Sequence, residues 1–496
     1  MGMFLTFRQE SLPRDFSVPE GITSVVHCRR AHSGGTAMSN VAEFEIGYFG
    51  DKRRQRVGME LFQRAVESGS LVVRQLGGDR SGEKSMHGFL SCAEVTPEEI
   101  LSTAARRTAL ACARRRIVAA QDTTEINFKG RDRARKGLGP TGDGKTPGFF
   151  CHGMVAIDAD DETLLGVVHA RIWTRSCERA AKRRQRSIEN KESMRWLEGT
   201  TAAGNLLKDA AQLIVLGDRE FDIYAQFARV PTGVELIVRA AQDRKLADDD
   251  ERLFSAAADW REFGRMNIRV PPHRPGEVER IASVAVKAGR VCIARPRNGA
   301  DRADPALVTL TFVEVHEIDP PQGQKPIVWR LLTTMQVCGQ PDEFAAAQEI
   351  VQLYRLRWRI EQVFRAMKSD GFRLEETQVQ EASRLFKLAA IAFVAAARTI
   401  QLVDARDGSP RPATDVADEE LIAAAAIIGP TLEGQTARQK NPHPVRSLAW
   451  LAWIAARLGG WNCYYKPPGP KTMRAGWTRL AAMADGYALA VAAQNA

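Results

Sequence analysis

Paired cysteines and long apolar runs are both missing from this chain of 496 residues. The eight cysteines are scattered with no C-x-x-C pair, which argues against a zinc site and against a disulfide framework. The apolar stretch from Leu388 to Ala397 is too short for a membrane span and predicts a core helix. Together these absences favour a cytoplasmic protein without a membrane partner.

Negative charge is in the minority. The 60 Asp and Glu residues are outnumbered by 70 Lys and Arg residues, which gives a formal net charge of +10 and favours a polyanionic partner. Cations concentrate in two short runs, KGRDRARK at 129–136 and RAAKRRQR at 179–186. Each run could equally be a solvated helix face.

The segment from Leu353 to Lys368 reads LYRLRWRIEQVFRAMK and contains a Y-x2-R-x3-E-x6-K array. At about 100° per residue, a single helix would stack Tyr354, Glu361 and Lys368 along one stripe, with Arg357 close beside it. Apolar residues form an adjoining stripe that would face the core. The pattern predicts a carboxylate flanked by cations and a phenol, a setting that suits a metal ion and a phosphate.

Two more carboxylates follow short apolar runs. The run at 115–122 ends at Asp122, and the run at 212–218 ends at Asp218. Such runs fit buried strands, although periodicity alone does not separate them from buried helix segments. A carboxylate at the carboxyl end of a central strand lies at the mouth of an α/β sheet, where ligands usually bind.

Three carboxylates of this kind suit a pair of divalent cations. Mg²⁺ prefers hard oxygen ligands and keeps positions open for water and phosphate oxygens; Mn²⁺ is expected to substitute for it. Two such ions about 4 Å apart can activate an attacking hydroxyl and stabilise the leaving oxygen of an in-line phosphoryl transfer. The arrangement therefore predicts chemistry on a phosphodiester.

Three segments carry a family resemblance: QDTTEINF around Asp122, VLGDREFDIYA around Asp218 and YRLRWRIEQVFRAMK around Glu361. In order and spacing they resemble the DDE transposases of insertion sequence family 4, the transposon-five-like cut-and-paste enzymes with a Y-R-E-K motif. Fainter similarity includes NKESMRWL at 190–197 and the segment 469–487. Tyr224 and Ala241 depart from the transposon-five pattern, which has a histidine and a basic residue at these positions.

The resemblance implies an α/β protein with a ribonuclease-H-like catalytic core at 111–404, interrupted by a β-rich insertion at about 221–350. A helical DNA-binding region would occupy 41–110 and a helical dimerisation region 405–496, where AlaThrAsp and GlyProThr are expected to separate helices. The strand-like segments 154–158 and 163–173 predict a hairpin. Residues 1–40 are expected to be a poorly structured extension, and the functional protein could begin at Met38.

The resemblance also assigns roles to residues. Asp122, Asp218 and Glu361 would be the catalytic metal ligands, and the DNA contacts would come from Tyr354, Arg357, Lys368, Trp329 and Arg239. Trp329 would stack on a flipped base. Each residue has a structural alternative: a loop cap or ion pair for the aspartates, a core position for the aromatics, and an exposed helix charge for the cations. Glu220 and Asp222 are predicted to be ion-pair partners.

The implied function is cut-and-paste transposition. A homodimer would pair the terminal inverted repeats of a transposon, cleave them through a hairpin intermediate and join the freed 3′-hydroxyls to target DNA. Two alternatives are a catalytically silent, transposase-derived DNA-binding regulator and a structure-selective nuclease without joining activity.

Overall fold

The fold is taken from a computed structural model of the chain. It describes residues 46–128, 135–175, 191–247, 251–270, 280–297, 300–368, 371–409, 411–464 and 466–494. The expected extension at 1–40, the start at Met38, the second basic run and most of the first lie outside the described residues.

Four helices precede the first strand: α1 (Lys52–Ser68), α2 (Val73–Gly77), α3 (Arg80–Ser91) and α4 (Pro97–Cys112). Three of them begin at side-chain caps. Asp51 accepts a hydrogen bond from the amide of Arg53, Asp79 accepts one from the amide of Gly82, and Thr96 accepts one from the amide of Glu99. Pro97 occupies the first turn of α4.

One mixed sheet forms the centre of the protein. Its strands are β1 (Arg116–Asn127), β2 (Gly139–Pro140), β3 (Pro147–Asp158), β4 (Leu164–Trp173), β5 (Gln212–Gly217), β6 (Val234–Arg239), β7 (Glu262–Val270), β8 (Arg280–Ala294), β9 (Leu307–Glu317) and β10 (Val328–Thr333). The hydrogen-bonded path runs β2-β3-β1-β5-β6-β10-β9-β8-β7, and β4 pairs with β3.

The central strands have the order β4-β3-β1-β5-β6. The first three form antiparallel pairs, including the predicted β3–β4 hairpin, whereas β5 and β6 run parallel to β1. This mixed α/β arrangement is consistent with the expected ribonuclease-H-like core.

Strand β6 lies within the range expected for the β-rich insertion, about 221–350, and it continues the central sheet. It is parallel to β5, because an αβ crossover returns the chain to the same edge. Strand β10 then pairs antiparallel with β6 and is followed across the sheet by β9, β8 and β7. The later strands therefore extend the central sheet.

The end of β1 differs from the prediction, because the strand does not end at Asp122 but continues to Asn127. The parallel pairing with β5 stops at Ala120, yet the antiparallel partner β3 pairs each residue of β1 from Ile117 to Asn127. An apolar run indicates which part of a strand is buried, but it does not indicate where the backbone pairing of that strand ends. The end of the run marks only the point where polar side chains begin.

Helices cover both faces of the central sheet: α5 (Met194–Leu206), α6 (Tyr224–Ala228), α7 (Leu253–Ala258), α8 (Glu343–Arg355), α9 (Trp358–Lys368) and α10 (Ala382–Ala405). Side chains of β1 alternate between two hydrophobic clusters. Val118 and Ala120 belong to the cluster that contains residues of α9 and α10, whereas Ile117 and Ala119 belong to the one that contains Trp196 of α5. This alternation fixes which face of the sheet each residue of β1 presents.

The apolar stretch near residue 390 lies in a longer helix than expected, the 24-residue α10. Among the helices that the structure describes, only α10 is long and apolar enough to cross a membrane, and 89% of its most apolar window is buried inside the protein. The core position predicted from the sequence is confirmed.

Three further helices follow: α11 (Glu419–Leu432), α12 (Leu448–Leu458) and α13 (Pro470–Gln494). GlyProThr does not separate helices as predicted, since Pro430 lies inside the last turn of α11. Pro430 has no amide N–H and therefore removes one helical hydrogen bond, but it does so only in the last turn, and the helix ends at Leu432. Helix α13 packs against α1, α11 and α12, which brings both ends of the described chain together.

Candidate active site

Asp218 lies where the sequence predicts it, directly after β5. Its Oδ1 accepts a hydrogen bond from the amide of Glu220 at 2.8 Å and so caps a 3-10 turn, Arg219–Phe221. The preceding Gly217 permits this tight turn, because a Cβ atom there would lie 2.2 Å from Cδ1 of Phe221. The backbone therefore fixes the position of the carboxylate.

Asp122 lies beside it on the neighbouring strand. The parallel register pairs Ala120 with Leu216, so Asp122 is level with Asp218 when that register is continued. By the alternation of β1, its side chain faces α9 and α10. The residue opposite it on β3 is Gly153, where a Cβ atom would come within 2.6 Å of the ring of Phe393. The glycine allows α10 to approach the sheet closely at this point.

Glu361 reaches the same place from the first turn of α9. Arg357 joins it to the sheet: Nη1 donates to Oδ2 of Asp122 at 2.8 Å, and Nη2 donates to Oε1 of Glu361 at 2.6 Å. The guanidinium side chain is 15% exposed, compared with 18% for Asp122 and 30% for Glu361. A planar fork that donates to two carboxylates is a role that arginine fills and lysine does not.

The pKa values of Asp122 and Glu361 are both shifted. Burial, together with the negative charges of Asp218 and Glu361, raises the pKa of Asp122 to about 7, although Arg357 pulls in the other direction. The pKa of Glu361 is also raised, chiefly by burial. Burial lowers the pKa of Arg357, but the charges of Asp122 and Glu361 outweigh burial and the net shift is upward. The site is short of positive charge.

The predicted single helix from Leu353 to Lys368 is wrong. Helix α8 ends at Arg355 and α9 begins at Trp358, and the amide of Arg357 bonds to the carbonyl of Tyr354, only three residues back. A 3-10 step rotates the chain further per residue than an α-helical one, so Tyr354 and Glu361 do not share one straight stripe. The sequence has no glycine or proline at this break.

Tyr354 nevertheless lies close to the site, with Trp329 and Arg239 around it. The ring of Tyr354 is buried and meets the half-buried ring of Trp329 edge-on at 6.1 Å. Arg239, at the end of β6, donates to the carbonyl of Val328 at 3.0 Å. Burial lowers its pKa, and the positive charge of Arg357 acts in the same direction. The structure thus brings together three of the predicted DNA contacts.

Lys368 pairs with a carboxylate outside this group. At the end of α9, its Nζ is 3.7 Å from Oε1 of Glu375, which also accepts the amide of Asn127 at the end of β1. The described structure does not pair Lys368 with Asp122, Asp218 or Glu361.

Residues 199–397 match the family described as transposase DDE domain. This match supports a DDE transposase. The matched segment contains Asp218 and Glu361, and it ends inside α10. Asp122 precedes the segment, so its place in the site depends on the strand register and on its ion pair with Arg357. DDE transposase domains act on DNA and use divalent metal ions.

The donor set fits such an ion. Three carboxylates provide hard oxygen ligands, and their mutual repulsion would be relieved by a divalent cation. Among the described residues, no group of three or more His, Cys, Asp or Glu side chains is arranged to hold a metal ion in the present conformation. The guanidinium of Arg357 lies between Asp122 and Glu361, so ion binding requires it to withdraw from at least one of them.

The predicted ion-pair roles of Glu220 and Asp222 are confirmed: Glu220 pairs with Arg195 and Asp222 with the buried Arg244, each at 2.5 Å. Arg195 itself is a residue near the site that the sequence did not single out. The only signal for it is the faint family resemblance of the segment NKESMRWL, which contains it. Tyr224 is buried and donates to the carbonyl of Pro305 at 2.7 Å, which accounts for it structurally.

Proposed function

We propose that this protein is a cut-and-paste DNA transposase of the insertion sequence family 4 type, which cleaves transposon ends and joins them to target DNA. The observation that carries the proposal is the convergence of Asp122, Asp218 and Glu361 from two parallel strands and a helix, with Arg357 between two of them.

In this proposal Asp122, Asp218 and Glu361 hold two Mg²⁺ ions, for which Mn²⁺ substitutes. Bound ions supply activation of the attacking hydroxyl and charge stabilisation of the leaving oxygen. Burial helps, because carboxylates in a poorly solvated site gain more from a divalent cation than exposed ones do.

The remaining site residues would hold the DNA. Arg357 would present its fork to the scissile phosphate after it withdraws from at least one of Asp122 and Glu361, and Tyr354 would donate its hydroxyl to a neighbouring phosphate. Arg239 and Lys368 add positive charge along the backbone. Trp329, whose ring is half-buried beside Tyr354, would stack on a base flipped out during hairpin formation.

The flanking helices would bind the ends and pair them. Helix α1 exposes Lys52, Arg53 and Arg56 in its first turns, which supports DNA binding by the region 41–110. The distal half of α13 exposes Met483 and Tyr487, each 46% accessible, which supports dimerisation of the region 405–496 through a second copy of the chain. The proposed location is the bacterial cytoplasm, with the nucleoid DNA.

The experiment needs the DNA that flanks the gene, where inverted repeats would define the ends. Full-length protein is incubated with end fragments and a target plasmid, with Mg²⁺ or with EDTA. The proposal predicts nicked, hairpin and joined products in the reaction with Mg²⁺ and none of these products in the reaction with EDTA. Binding without cleavage would instead identify the catalytically silent regulator, and cleavage without joined product would identify the nuclease.

A further inference from the structure

Arg195 lies in the first turn of α5, and only 7% of its surface is exposed. All three nitrogens of its guanidinium donate hydrogen bonds. Nε donates to Oγ1 of Thr123 at 3.0 Å, Nη1 to the carbonyl of Glu192 at 2.9 Å and Nη2 to Oε2 of Glu220 at 2.5 Å. Thr123 follows Asp122 directly, and Glu220 belongs to the turn that Asp218 caps. One side chain therefore connects the two backbone segments that carry the aspartates.

The connection is made from behind the sheet. Because side chains alternate along β1, Gln121 and Thr123 face α5 while Asp122 faces α9. Arg195 thus touches neither aspartate and leaves the proposed metal side of the sheet open.

The Thr123 hydroxyl is itself held in place. The Nε2 amide of Gln121 donates to Thr200 Oγ1 at 3.2 Å, which turns the Gln121 carbonyl oxygen toward Nε2 of His152, 3.1 Å away. Nε2 of His152 must then carry the proton, so Nδ1 accepts the Thr123 hydroxyl at 2.9 Å. The hydroxyl oxygen is left to accept from Arg195, so each hydrogen bond in this buried chain pairs one donor with one acceptor.

Contribution to stability alone is a weak explanation for the arginine. The side chain of Glu220 is 65% exposed, against 8% for Arg195, so their ion pair is screened on one side. Burial moreover lowers the pKa of Arg195, because the charged guanidinium loses solvation. A buried cation that costs solvation is better explained by the geometry that its three hydrogen bonds impose.

We infer that Arg195 is a positioning residue that fixes the separation of Asp122 and Asp218 and thereby sets the metal affinity of the site. This inference rests on the proposed function. Lysine at this position is a point charge and lacks the planar fork that reaches Thr123 and Glu220 together.

The test measures metal binding separately from catalysis. Full-length protein is bound to pre-cleaved end DNA and titrated with Mn²⁺, and free Mn²⁺ is followed by electron paramagnetic resonance. Arg195→Ala and Arg195→Lys are both expected to weaken Mn²⁺ binding by about 10- to 100-fold, the usual range for residues that orient metal ligands. Cleavage should need correspondingly more Mg²⁺ and approach the normal rate when Mg²⁺ saturates.

Glu220→Gln should not disturb folding, because this side chain is largely exposed. The substitution should nevertheless weaken Mn²⁺ binding. Its effect should not add to that of Arg195→Ala, because both changes break the same connection. The matched control is Arg171→Ala, which removes an exposed 2.6 Å ion pair with Glu198 of the same helix α5 and should leave Mn²⁺ affinity unchanged.

Two failures are distinguishable. If Asp122→Asn abolishes Mn²⁺ binding while Arg195→Ala and Glu220→Gln only lower the melting temperature, Arg195 is a stabilising residue and the inference is wrong. If Asp122→Asn itself binds Mn²⁺ normally, the metal site and with it the proposed function are wrong.

Discussion

Replacing Asp122 by Asn should make the metal-free protein more stable at neutral pH. The carboxylate is crowded by Asp218 and Glu361 and largely buried, so its ionised form is disfavoured in the folded state. Asparagine keeps the shape and can still accept a hydrogen bond from Arg357, but it carries no charge. A stabilising substitution at a catalytic position is the expected consequence of a site assembled for function.

The magnitude follows from the raised pKa. The interval from the ordinary pKa of 3.8 to about 7 corresponds to a ceiling of about 4 kcal/mol when the group is fully ionised. Since 18% of the side chain is exposed and Arg357 loses part of an ion pair, we expect roughly 1–2 kcal/mol.

The direction in which folding stability changes with pH also follows from the raised pKa of Asp122. Because the folded-state pKa is raised, the folded protein binds more protons than the unfolded chain between about pH 4 and pH 7, and wild-type stability falls as pH rises through this window. The advantage of Asp122→Asn should therefore be largest above pH 7 and vanish toward pH 4.

Urea unfolding in EDTA at several pH values measures this difference. The control is Asp160→Asn, which removes the carboxylate of an exposed ion pair with Arg116 and should change stability by less than about 0.5 kcal/mol at every pH. Added Mg²⁺ should stabilise the wild type and leave Asp122→Asn unaffected. A variant that is less stable than the wild type at pH 8, or whose advantage does not change with pH, would refute the reasoning.

Four other substitutions have defined outcomes. Arg357→Ala or Lys368→Ala should slow cleavage of paired ends more than it weakens end binding, and a loss confined to binding, with both measured on one end fragment, would contradict the phosphate-holding role. Trp329→Ala should slow hairpin formation by the equivalent of about 1–3 kcal/mol and spare the first nick; unchanged hairpin kinetics in a gel time course would return Trp329 to the core. Asp222→Ala leaves the buried Arg244 without its ion-pair partner and should lower the free energy of unfolding in urea by about 3–5 kcal/mol. A decrease below about 1 kcal/mol would mean that the pair is solvated.

Local patterns predicted those features that depend on burial and spacing. Asp218 follows a short apolar run and a glycine, and it lies at the end of β5. Thr96 and Pro97 begin α4 as capping rules require. The apolar residues of the Glu361 segment mark a core face, and Ile360 and Val363 are fully buried.

Features decided by partners distant in sequence could not be predicted in this way. Strand β1 passes Asp122 because β3 continues to pair with it, and the apolar run contains no information about that partner. The break before α9 occurs at Arg357, whose guanidinium reaches Asp122, 235 positions earlier in the chain. The role of Arg195 could not be predicted from the sequence, because its hydrogen bonds to Thr123 and Glu220 exist only in the folded protein.

The central claim is that Asp122, Asp218 and Glu361 together hold the catalytic metal. The most direct measurement is cleavage of end DNA in Mg²⁺ by Asp122→Asn, Asp218→Asn and Glu361→Gln, with end binding measured in parallel. These amides preserve shape and remove the charge that holds the ion. The account predicts that each variant binds end DNA like the wild type and does not cut it. Strong nicking by any one of the three would remove that residue from the metal site.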